Sequence, residues 1–562
     1  MSTTRKSPRL DDPQFDLFGG VPTEGGSTEV RAARHSGRRF VSGNSSGMFV
    51  GTIRLEHYLR DMGELTPLSV ARLLDEQDWQ VFEQRYAATG RAPYAPRAMM
   101  GLILYGIMQG VHSLRALERL ARLDLGCMWV SGGITPDHAI IGRFIVLHEA
   151  SLTHEFFESL TRSILHVCRS SSQRVAGDGT VIEAACSHYR LLKEQAVKAQ
   201  TEVARKRLAQ QPADSHAQQA MRHAQECEQT FEQRKASRRK RGKGTDSLCI
   251  SASEPQAMVQ RLKRGRGFAA SYTPSVLANE DRIITAMAVD GSSETSVMAQ
   301  MLDQHARIAG SQTKEVLLDA GYFDDEVIAA TLERDVSLLC PSGQWPAPEE
   351  KSTGKFHKSR FQYDPYTDTY RCPADQILTR VSKVAPSAVT REQTVYAPLS
   401  CSGCPLRNRC TSAKVRKIKR YPEDEAREAL RLVMEQPEAQ RAFCQRKAMV
   451  EPVFAMLRYQ QKLDRFRRRG LAAVKREFAL HAMAYNLARA AGLLKALFVY
   501  FYAICLVQSA HVARLSSPRP HTRGYHQAQT PSGNLIKSRI TQENVLRQSL
   551  KAGDSYGAQG RR

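Results

Sequence analysis

The stretch QRVAGDGTVIEAACSHY, residues 173–189, contains the feature that decides the fold. Val175, Val181 and Ile182 form an apolar run typical of a β-strand, but residues 177–180 (GDGT) interrupt it. An acidic residue between glycines inside such a run is either part of a turn or a carboxylate that projects toward a charged group. The rest of the chain is needed to choose between these two interpretations.

The composition is that of a large, strongly basic globular chain. Its 562 residues, 42% hydrophobic and 25% charged, are enough for two or three packed domains. The 81 Lys and Arg residues against 57 Asp and Glu give a net charge of +24 and a pI near 9.7. Because the positive charge is clustered, it favours a polyanionic partner such as nucleic acid over a merely basic surface.

The sequence also indicates where the protein works. The N-terminal MSTTRKSPRLDDPQF has no apolar stretch after its basic residues, so it does not resemble a secretory signal. The apolar segment 493–507 is short for a membrane span and contains Lys495, which favours a buried helix. We therefore expect a cytoplasmic protein without a membrane partner, whose twelve cysteines are reduced.

Changes in composition and periodicity divide the chain. An α/β fold is expected, with a mixed sheet preceded by helices. The expected segments are a disordered basic arm (1–48), a helical N-terminal DNA-binding domain (55–171), a mixed α/β domain (172–492) with insertions at about 190–245 (helical, basic) and 341–421 (cysteine-containing), and a disordered basic tail (508–562).

Two short helices are predicted in the N-terminal part, at Leu114–Leu123 and Pro136–Leu147. Ser113 and the pair Thr135-Pro136 are the expected N-caps. Helices of this length, joined through a turn that contains glycine, are typical of a helix-turn-helix. An ordinary helical bundle fits the same pattern nearly as well.

A dense basic run ends the first insertion. The sequence RKASRRKRGKG, Arg234–Gly244, contains seven cations and no acid. We expect such a run to touch a nucleic-acid backbone, the alternative being a solvated helix end. The cations expected to contact DNA there are Arg238, Arg239, Lys240 and Arg241.

A second acidic residue follows a predicted strand. Residues 316–318 (VLL) form a buried apolar run that ends at Asp319, and a predicted helix follows. In α/β sheets, ligands sit at the carboxyl ends of the strands. Asp319 is therefore placed where a metal or substrate ligand would be. Asp178 has the same placement if its carboxylate projects from the sheet.

A third acid is expected on a helix. The sequence FCQRKAMVEPVFAMLRYQQKLDRFRRRG, residues 443–470, contains Glu451, with Lys447 four residues before it and Arg458 seven after it on one predicted helical face. Two strand carboxylates and one from a helix suit a two-metal phosphodiester site, since Mg²⁺ prefers oxygen ligands. Taken alone, Glu451 is better explained by an ion pair on a solvated helix.

Together these motifs resemble a bacterial insertion-sequence transposase with an RNase H-like DDE catalytic domain and an InsH-type helical N-terminal domain. The N-terminal resemblance rests on GRAPYAPRAMMGLILYGIMQGVHSLRALERLARLD and GGITPDHAIIGRF. The catalytic resemblance rests on GDGTVIEA, LLDAGYFDDE and VEPVFAMLR. It covers most of residues 55–492 and implies an RNase H-like mixed sheet behind an all-α N-terminal domain.

The resemblance implies a function and its residues. Asp178, Asp319 and Glu451 would bind Mg²⁺ (or Mn²⁺), and the glycines beside Asp178 would leave room for DNA. The implied reaction is cleavage at terminal inverted repeats and strand transfer into target DNA, by a homodimer on double-stranded DNA that is nucleoid-associated when bound. The cations implied to hold phosphates are Lys447, Arg458, Arg467, Arg468 and Arg469.

Two alternatives remain on the sequence. The Tyr-Arg-Glu-Lys signature of related transposases falls by spacing on Cys444, Lys447, Glu451 and Arg458, which keeps charge but not identity. A catalytically decayed relative that still binds DNA is therefore one alternative, and a zinc-containing regulatory protein is a weaker one.

The zinc alternative rests on four cysteines, Cys372, Cys401, Cys404 and Cys410, in YRCPADQ and CSGCPLRNRC. Four thiols with a close C-x-x-C pair suit tetrahedral Zn²⁺, although unliganded thiols are equally expected. The polar, turn-rich sequence around them predicts a metal in place of a large apolar core.

Overall fold

The fold was analysed in a computed structural model. It describes residues 32–516 except 36–37, 88–89, 154, 188–189, 241–243, 262–266, 292–293, 344–353 and 387–390, and only the helical backbone of 498–516. Residues 1–31 of the expected basic arm and 517–562 of the expected tail lie outside the described residues, as does Arg241.

The first described elements are two short hairpins. Ala32–His35 pairs with Arg38–Val41, and Phe49–Val50 pairs with Ile53–Arg54. Phe40 is buried, and the Val41 N–H donates to the carbonyl of Pro93. The prediction of disorder throughout residues 1–48 is therefore wrong for its last part, because this buried aromatic ring anchors the chain.

Helices then follow one another up to residue 167. Their bounds are Leu55–Asp61, Leu65–Asp75, Gln80–Glu83, Pro96–Met108, Leu114–Leu123, Leu125–Ser131, His138–Leu147, Glu149–Thr153 and Glu155–Val167. Ser113 caps its helix as predicted, since its hydroxyl accepts the Ala116 N–H at 3.1 Å. The next predicted helix begins later than expected, at His138, where Asp137 is the cap. Because Leu125–Ser131 lies between the two predicted helices, they are not joined by a short turn.

The main sheet is mixed, as the sequence predicted. Arg174–Gly179 lies at its centre, antiparallel to Phe268–Asn279 on one side and parallel to Glu315–Leu317 on the other. Ile284–Asp290 extends the antiparallel side and Ser337–Leu339 the parallel side. Two shorter strands, Ile182–Glu183 and Met258–Arg261, also pair with the long strand Phe268–Asn279.

Helices flank this sheet and lead out of it. They are Met298–Ala309, Asp325–Leu332, Asp424–Glu435, Pro437–Phe443, Arg446–Ala455 and Leu471–Ser516, with a π-helical turn at Met456–Gln460 and a 3₁₀ turn at Ala320–Tyr322. Because Leu471–Ser516 is one helix, the expectation that disorder begins at residue 508 is wrong up to Ser516. Within the described residues, no helix is both long and apolar enough to cross a membrane.

Both insertions have their own structure. The first is a helical hairpin of Glu194–Gln210 and Ser215–Lys240, flanked by a short strand pair in which Leu191–Leu192 precedes the hairpin and Ile250–Ser251 follows it. The second is a five-stranded antiparallel sheet, here called the cysteine sheet, with the short helix Arg407–Cys410. Its strands are Gln362–Asp364, Thr369–Arg371, Ile377–Val384, Gln393–Ala397 and Ile418–Arg420, and a 3₁₀ turn, Lys358–Arg360, precedes them.

One apolar core joins the helical part to the mixed sheet. It includes Leu104 and Phe157 from the helices, Val276 from the sheet, and Val453 and Phe478 from the last helices. The helix Arg446–Ala455 packs against the two central strands. The core therefore fixes the helix of Glu451 against the strand that ends near Asp178.

Candidate active site

Two acids predicted from the sequence lie side by side in the structure. Leu317 and Ala176 are partners in the parallel pairing, so Asp319 and Asp178, each two residues further on, lie at the same level. Asp178 is the last residue but one of its strand, and Asp319 follows its strand by two residues. Side chains of Asp178 and Asp319 are 23% and 44% exposed. Of the two interpretations of GDGT, the projecting carboxylate is the one that the structure supports.

A buried arginine lies between these carboxylates. Arg446 begins the helix that carries Glu451, and its side chain is only 7% exposed. Its Nη2 atom lies 3.0 Å from Asp178 Oδ1 and 3.4 Å from Asp319 Oδ2, and it donates to the Gly177 carbonyl at 3.2 Å. The Nε atom has no hydrogen-bond partner among the described residues. The two carboxylates are thus arranged around one cationic nitrogen.

A third carboxylate near this pair was missed by the sequence analysis. A Cβ on Gly179 would lie 2.5 Å from Cδ of Glu294, so the absence of a side chain lets Glu294 approach. Burial raises the pKa of Tyr322, and the charges of Glu294, Asp178 and Asp319 raise it further. Glu294 sits in a loop before a helix, where an acid is ordinary, so no sequence signal singles it out.

The glycines beside Asp178 make room for protein. A Cβ on Gly177 would lie 2.4 Å from Leu318 Cδ2, and the space beside Gly179 is occupied by Glu294. The expectation that both glycines leave room for DNA is therefore wrong at the positions of their missing Cβ atoms, where Leu318 and Glu294 lie.

Glu451 is not part of a three-ligand arrangement among the described residues. Glu451 and Lys447 are both exposed on the helix Arg446–Ala455. In the part of the chain that the structure describes, no three or more His, Cys, Asp or Glu side chains are arranged to hold a metal ion. The structure thus brings Asp178 and Asp319 together, while Glu451 remains on the adjacent helix.

A π-helical turn separates Arg458 from the helix of Glu451. The α-helix ends at Ala455 and contains Pro452, and the π-turn Met456–Gln460 follows. A π-turn shifts the phase of side chains, so the single face predicted for Lys447, Glu451 and Arg458 is wrong. Arg458 instead reaches back to the chain after Asp178, donating to Thr180 Oγ1 at 2.6 Å and to the Val181 carbonyl at 2.7 Å.

The three arginines after the π-turn differ in their surroundings. Arg467 and Arg469 are exposed, and Arg469 donates to the Ala185 carbonyl at 3.1 Å. Arg468 is half-buried, and burial lowers its pKa. Glu477, an acid of the last helix, is buried and accepts the backbone N–H groups of Arg467 and Arg468 at 3.0–3.1 Å. Glu477 therefore fixes this loop and is not part of the acidic pair.

The basic run of the first insertion is only partly described. Arg238 donates to the Gly244 carbonyl and to the Ser247 hydroxyl, while Arg239 is exposed. Only the backbone of Lys240 is described. Arg238 thus bonds the segment that follows its own helix, whereas the side chain of Arg239 faces solvent.

The four cysteines line one small hollow, as their spacing predicted, but zinc is not supported. The Cys372 thiol accepts the Gln376 N–H at 3.3 Å and the Cys401 thiol the Arg416 N–H at 3.5 Å. Burial raises the pKa of Cys410. The cysteine sheet has an apolar core that includes Phe361, so the expectation of a metal in place of a core is wrong. No metal-binding arrangement forms among its described residues.

Two family models match the chain. One, described as a transposase DDE domain, matches residues 371–491, and the other, a transposase domain (DUF772), matches residues 52–146. These two matches support an insertion-sequence transposase with a DDE domain. The DDE match includes Glu451 and the four cysteines but neither Asp178 nor Asp319. The search of curated proteins found no match to the chain.

The family implies a divalent metal ion, and the paired carboxylates fit one in part. Asp178 and Asp319 supply the hard oxygen donors that Mg²⁺ and Mn²⁺ prefer. Their oxygens already surround one cationic nitrogen at 3.0 and 3.4 Å. A metal ion between them would take the place of the Arg446 guanidinium, with further ligands from water or a neighbouring acid.

Proposed function

We propose that this transposase cuts DNA at the ends of its own element in a reaction that depends on Mg²⁺ or Mn²⁺, and then joins the freed ends to target DNA. The observation that carries the proposal is the pair Asp178 and Asp319, at matched positions on adjacent parallel strands and arranged around one cationic nitrogen. Matches to two transposase domain families support the DNA substrate.

Each residue of the site has a proposed role. Asp178 and Asp319 would hold the metal ion, and Glu451 would join them from the adjacent helix. When bound, the ion lowers the pKa of a water molecule or a 3′-OH and stabilises charge on the phosphate. Lys447 is exposed near Glu451 and would contact a phosphate, as would Arg458 beside Thr180.

The proposed chemistry needs no covalent bond to the protein. Water adds to the phosphorus at the element boundary, the P–O3′ bond breaks, and the element keeps a free 3′-OH. That hydroxyl then attacks a phosphorus of the target, and the target's own 3′ oxygen leaves with a proton. The second step needs no external energy source, because one phosphodiester bond replaces another.

The finer architecture and partners are part of the proposal. A hairpin on one side of the central strand and a β-α-β run on the other are consistent with an RNase H-like sheet. The helices between residues 55 and 167 would form the DNA-binding domain. We propose terminal inverted repeats and target duplex as substrates, and a homodimer as the active form on DNA.

A second candidate function is DNA binding without cleavage. It is favoured by Arg446, which lies between the carboxylates that would hold the metal, and by the lack of a three-ligand group in the described part of the chain. A decayed transposase would bind its terminal repeats as tightly as an active one.

The experiment incubates the full chain with duplexes that carry the element's genomic ends, with Mg²⁺, Mn²⁺ or EDTA, and maps any new 3′ ends. We expect metal-dependent nicks at one phosphate per end. Asp375→Asn is the matched control for acid variants, since Asp375 is 80% exposed and lies in the cysteine sheet. Binding without nicks in either metal would favour the second candidate.

A further inference from the structure

The helix Leu114–Leu123, here called the arginine helix, has two contrasting faces. Leu117 and Ala121 are buried against the core. Arg115, Arg119 and Arg122 are exposed, and their spacing of four and three residues puts them on one face, where Arg122 also donates to Glu118 at 2.8 Å. At 1.5 Å per residue the stripe extends about 10 Å along the helix axis. Such a row of guanidinium groups matches the phosphates of a duplex.

The N-terminal turn of this helix contacts the π-turn. Gly110 has φ +71°, and a Cβ there would lie 2.7 Å from the Gln460 carbonyl oxygen. His112 Nε2 lies 3.0 Å from the carbonyl oxygen of Gln461. Burial lowers the pKa of His112, and Arg467 lowers it further. Arg467 Nη2 also lies 3.4 Å from His112 Nε2. Because a carbonyl only accepts and its contact is the shorter one, we assign the proton to Nε2, which donates to Gln461.

The π-turn connects this contact to the acidic pair. It follows directly on the helix of Glu451 and contains Arg458, whose guanidinium bonds Thr180 two residues after Asp178. π-turns interrupt regular helix hydrogen bonding and frequently mark functional sites. A displacement at Gln461 would therefore shift both the helix of Glu451 and the end of the strand that contains Asp178.

The junction leaves room for such a displacement. A hollow of about 670 Å³ separates the arginine helix from the last helix. Its lining includes His112, Leu117, Arg467 and Glu477. The approach of Gly110 to Gln460 is close, but the hollow beside it means that continuous packing does not hold the arginine helix against the last helix.

We propose that the arginine helix transmits binding of the DNA end to the active site. Its three arginines bind backbone phosphates of the element end, and His112 is a positioning residue that passes the resulting shift to the π-turn and Glu451. The partner is duplex DNA because the stripe is cationic and the chain carries a net charge of +24. The inference rests on the proposed function, since it concerns the same DNA end.

The first test measures the salt dependence of binding to a duplex of the element's terminal sequence. Two lost phosphate contacts in Arg115→Ala/Arg119→Ala should reduce the slope of log K against log salt by about 1.8. The matched control is Arg371→Ala/Arg380→Ala, two arginines of the cysteine sheet that are each 60% exposed. Equal slopes for both double variants would overturn the contact.

The second test needs no cleavage. Amide exchange of residues 456–461 is measured with and without the terminal duplex. We expect the duplex to slow exchange in the parent and in His112→Gln, which keeps a donor, but not in His112→Ala, although its duplex affinity is retained. The control His223→Ala removes a half-buried histidine that donates to the Ala252 carbonyl at 2.7 Å, far along the chain.

The two proposals fail in different ways. Absence of nicking by the parent would reject the proposed function and leave the exchange result readable. Unchanged exchange in the parent, or a His112→Ala response equal to the parent's, would overturn the coupling even in an active enzyme. Where the parent cleaves, His112→Ala should lower kcat about tenfold with KM unchanged, within the range of ordinary coupling energies.

Discussion

The acidic pair and the cysteine sheet were both predicted as metal sites, and the structure treats them differently. Asp178 and Asp319 lie at the same level near the ends of adjacent strands and surround one cationic nitrogen. The four cysteines surround a small hollow beside an aromatic core, where backbone N–H groups contact two of the thiols. Residue type and spacing thus predicted in both regions that the candidate ligands lie close together. Whether they suit a cation depends on the neighbouring side chains, which the spacing does not indicate.

The largest expected effect is on the acidic pair. Asp178→Asn, Asp319→Asn and Glu451→Gln should each abolish cleavage and leave duplex binding unchanged, because a neutral amide keeps its shape and loses metal affinity. Nicking and binding assays on the same preparations measure both properties, with Asp375→Asn as the control. Normal nicking by Glu451→Gln would indicate that Glu294, and not Glu451, is the third metal-binding acid.

Removing the cation between the acids should have the next largest effect on the active site. Arg446→Ala leaves two carboxylates close together, and the free energy of unfolding should fall by about 1–3 kcal/mol, less than for a fully buried pair because Asp319 is 44% exposed. Mg²⁺ should restore more stability to this variant than to the parent. Thermal unfolding with and without Mg²⁺ measures this, and an equal response in both proteins would contradict it. Arg371→Ala is the control.

The cysteine sheet should depend on its aromatic core. Phe361 is 5% exposed, so Phe361→Ala should cost about 3–5 kcal/mol. Cys401→Ser/Cys404→Ser should cost about 1 kcal/mol, and a chelator should change neither protein. Urea unfolding followed by a probe in this sheet tests the order. A larger loss in the cysteine variant, or a loss caused by the chelator, would restore the metal interpretation.

The last expected effect is a pH dependence of the main core. Burial lowers the pKa of His148 and His305 to about 4 and that of His481 to about 3. Below pH 6.5 the unfolded chain binds protons that the folded chain does not, so stability is full above pH 6.5 and falls toward pH 4. Each histidine contributes up to about 1.4 kcal/mol per pH unit.

Urea midpoints between pH 7 and pH 5 measure this dependence. His305→Gln should flatten the curve, while the exposed His216→Gln should follow the parent. A parent midpoint that does not change with pH would show that these rings are protonated in the folded protein.

The sequence predicted the elements whose signal is local. The strands near Asp178 and Asp319 and the cap at Ser113 follow from apolar runs and hydrogen-bonding residue types. Arg446 and Glu294 could not be predicted, because their place depends on which distant segments pack together. No pattern of apolar residues in the sequence indicates the π-turn Met456–Gln460. The prediction that placed Arg458 on the face of Glu451 assumed a regular α-helix there.

The most direct test of the central claim is Mn²⁺ binding to the full chain, measured by electron paramagnetic resonance without DNA. The account predicts bound Mn²⁺ in the parent and in Asp375→Asn, and its loss in both Asp178→Asn and Asp319→Asn. Equal Mn²⁺ binding by all four proteins would contradict the assignment of the metal to the paired strand-end carboxylates.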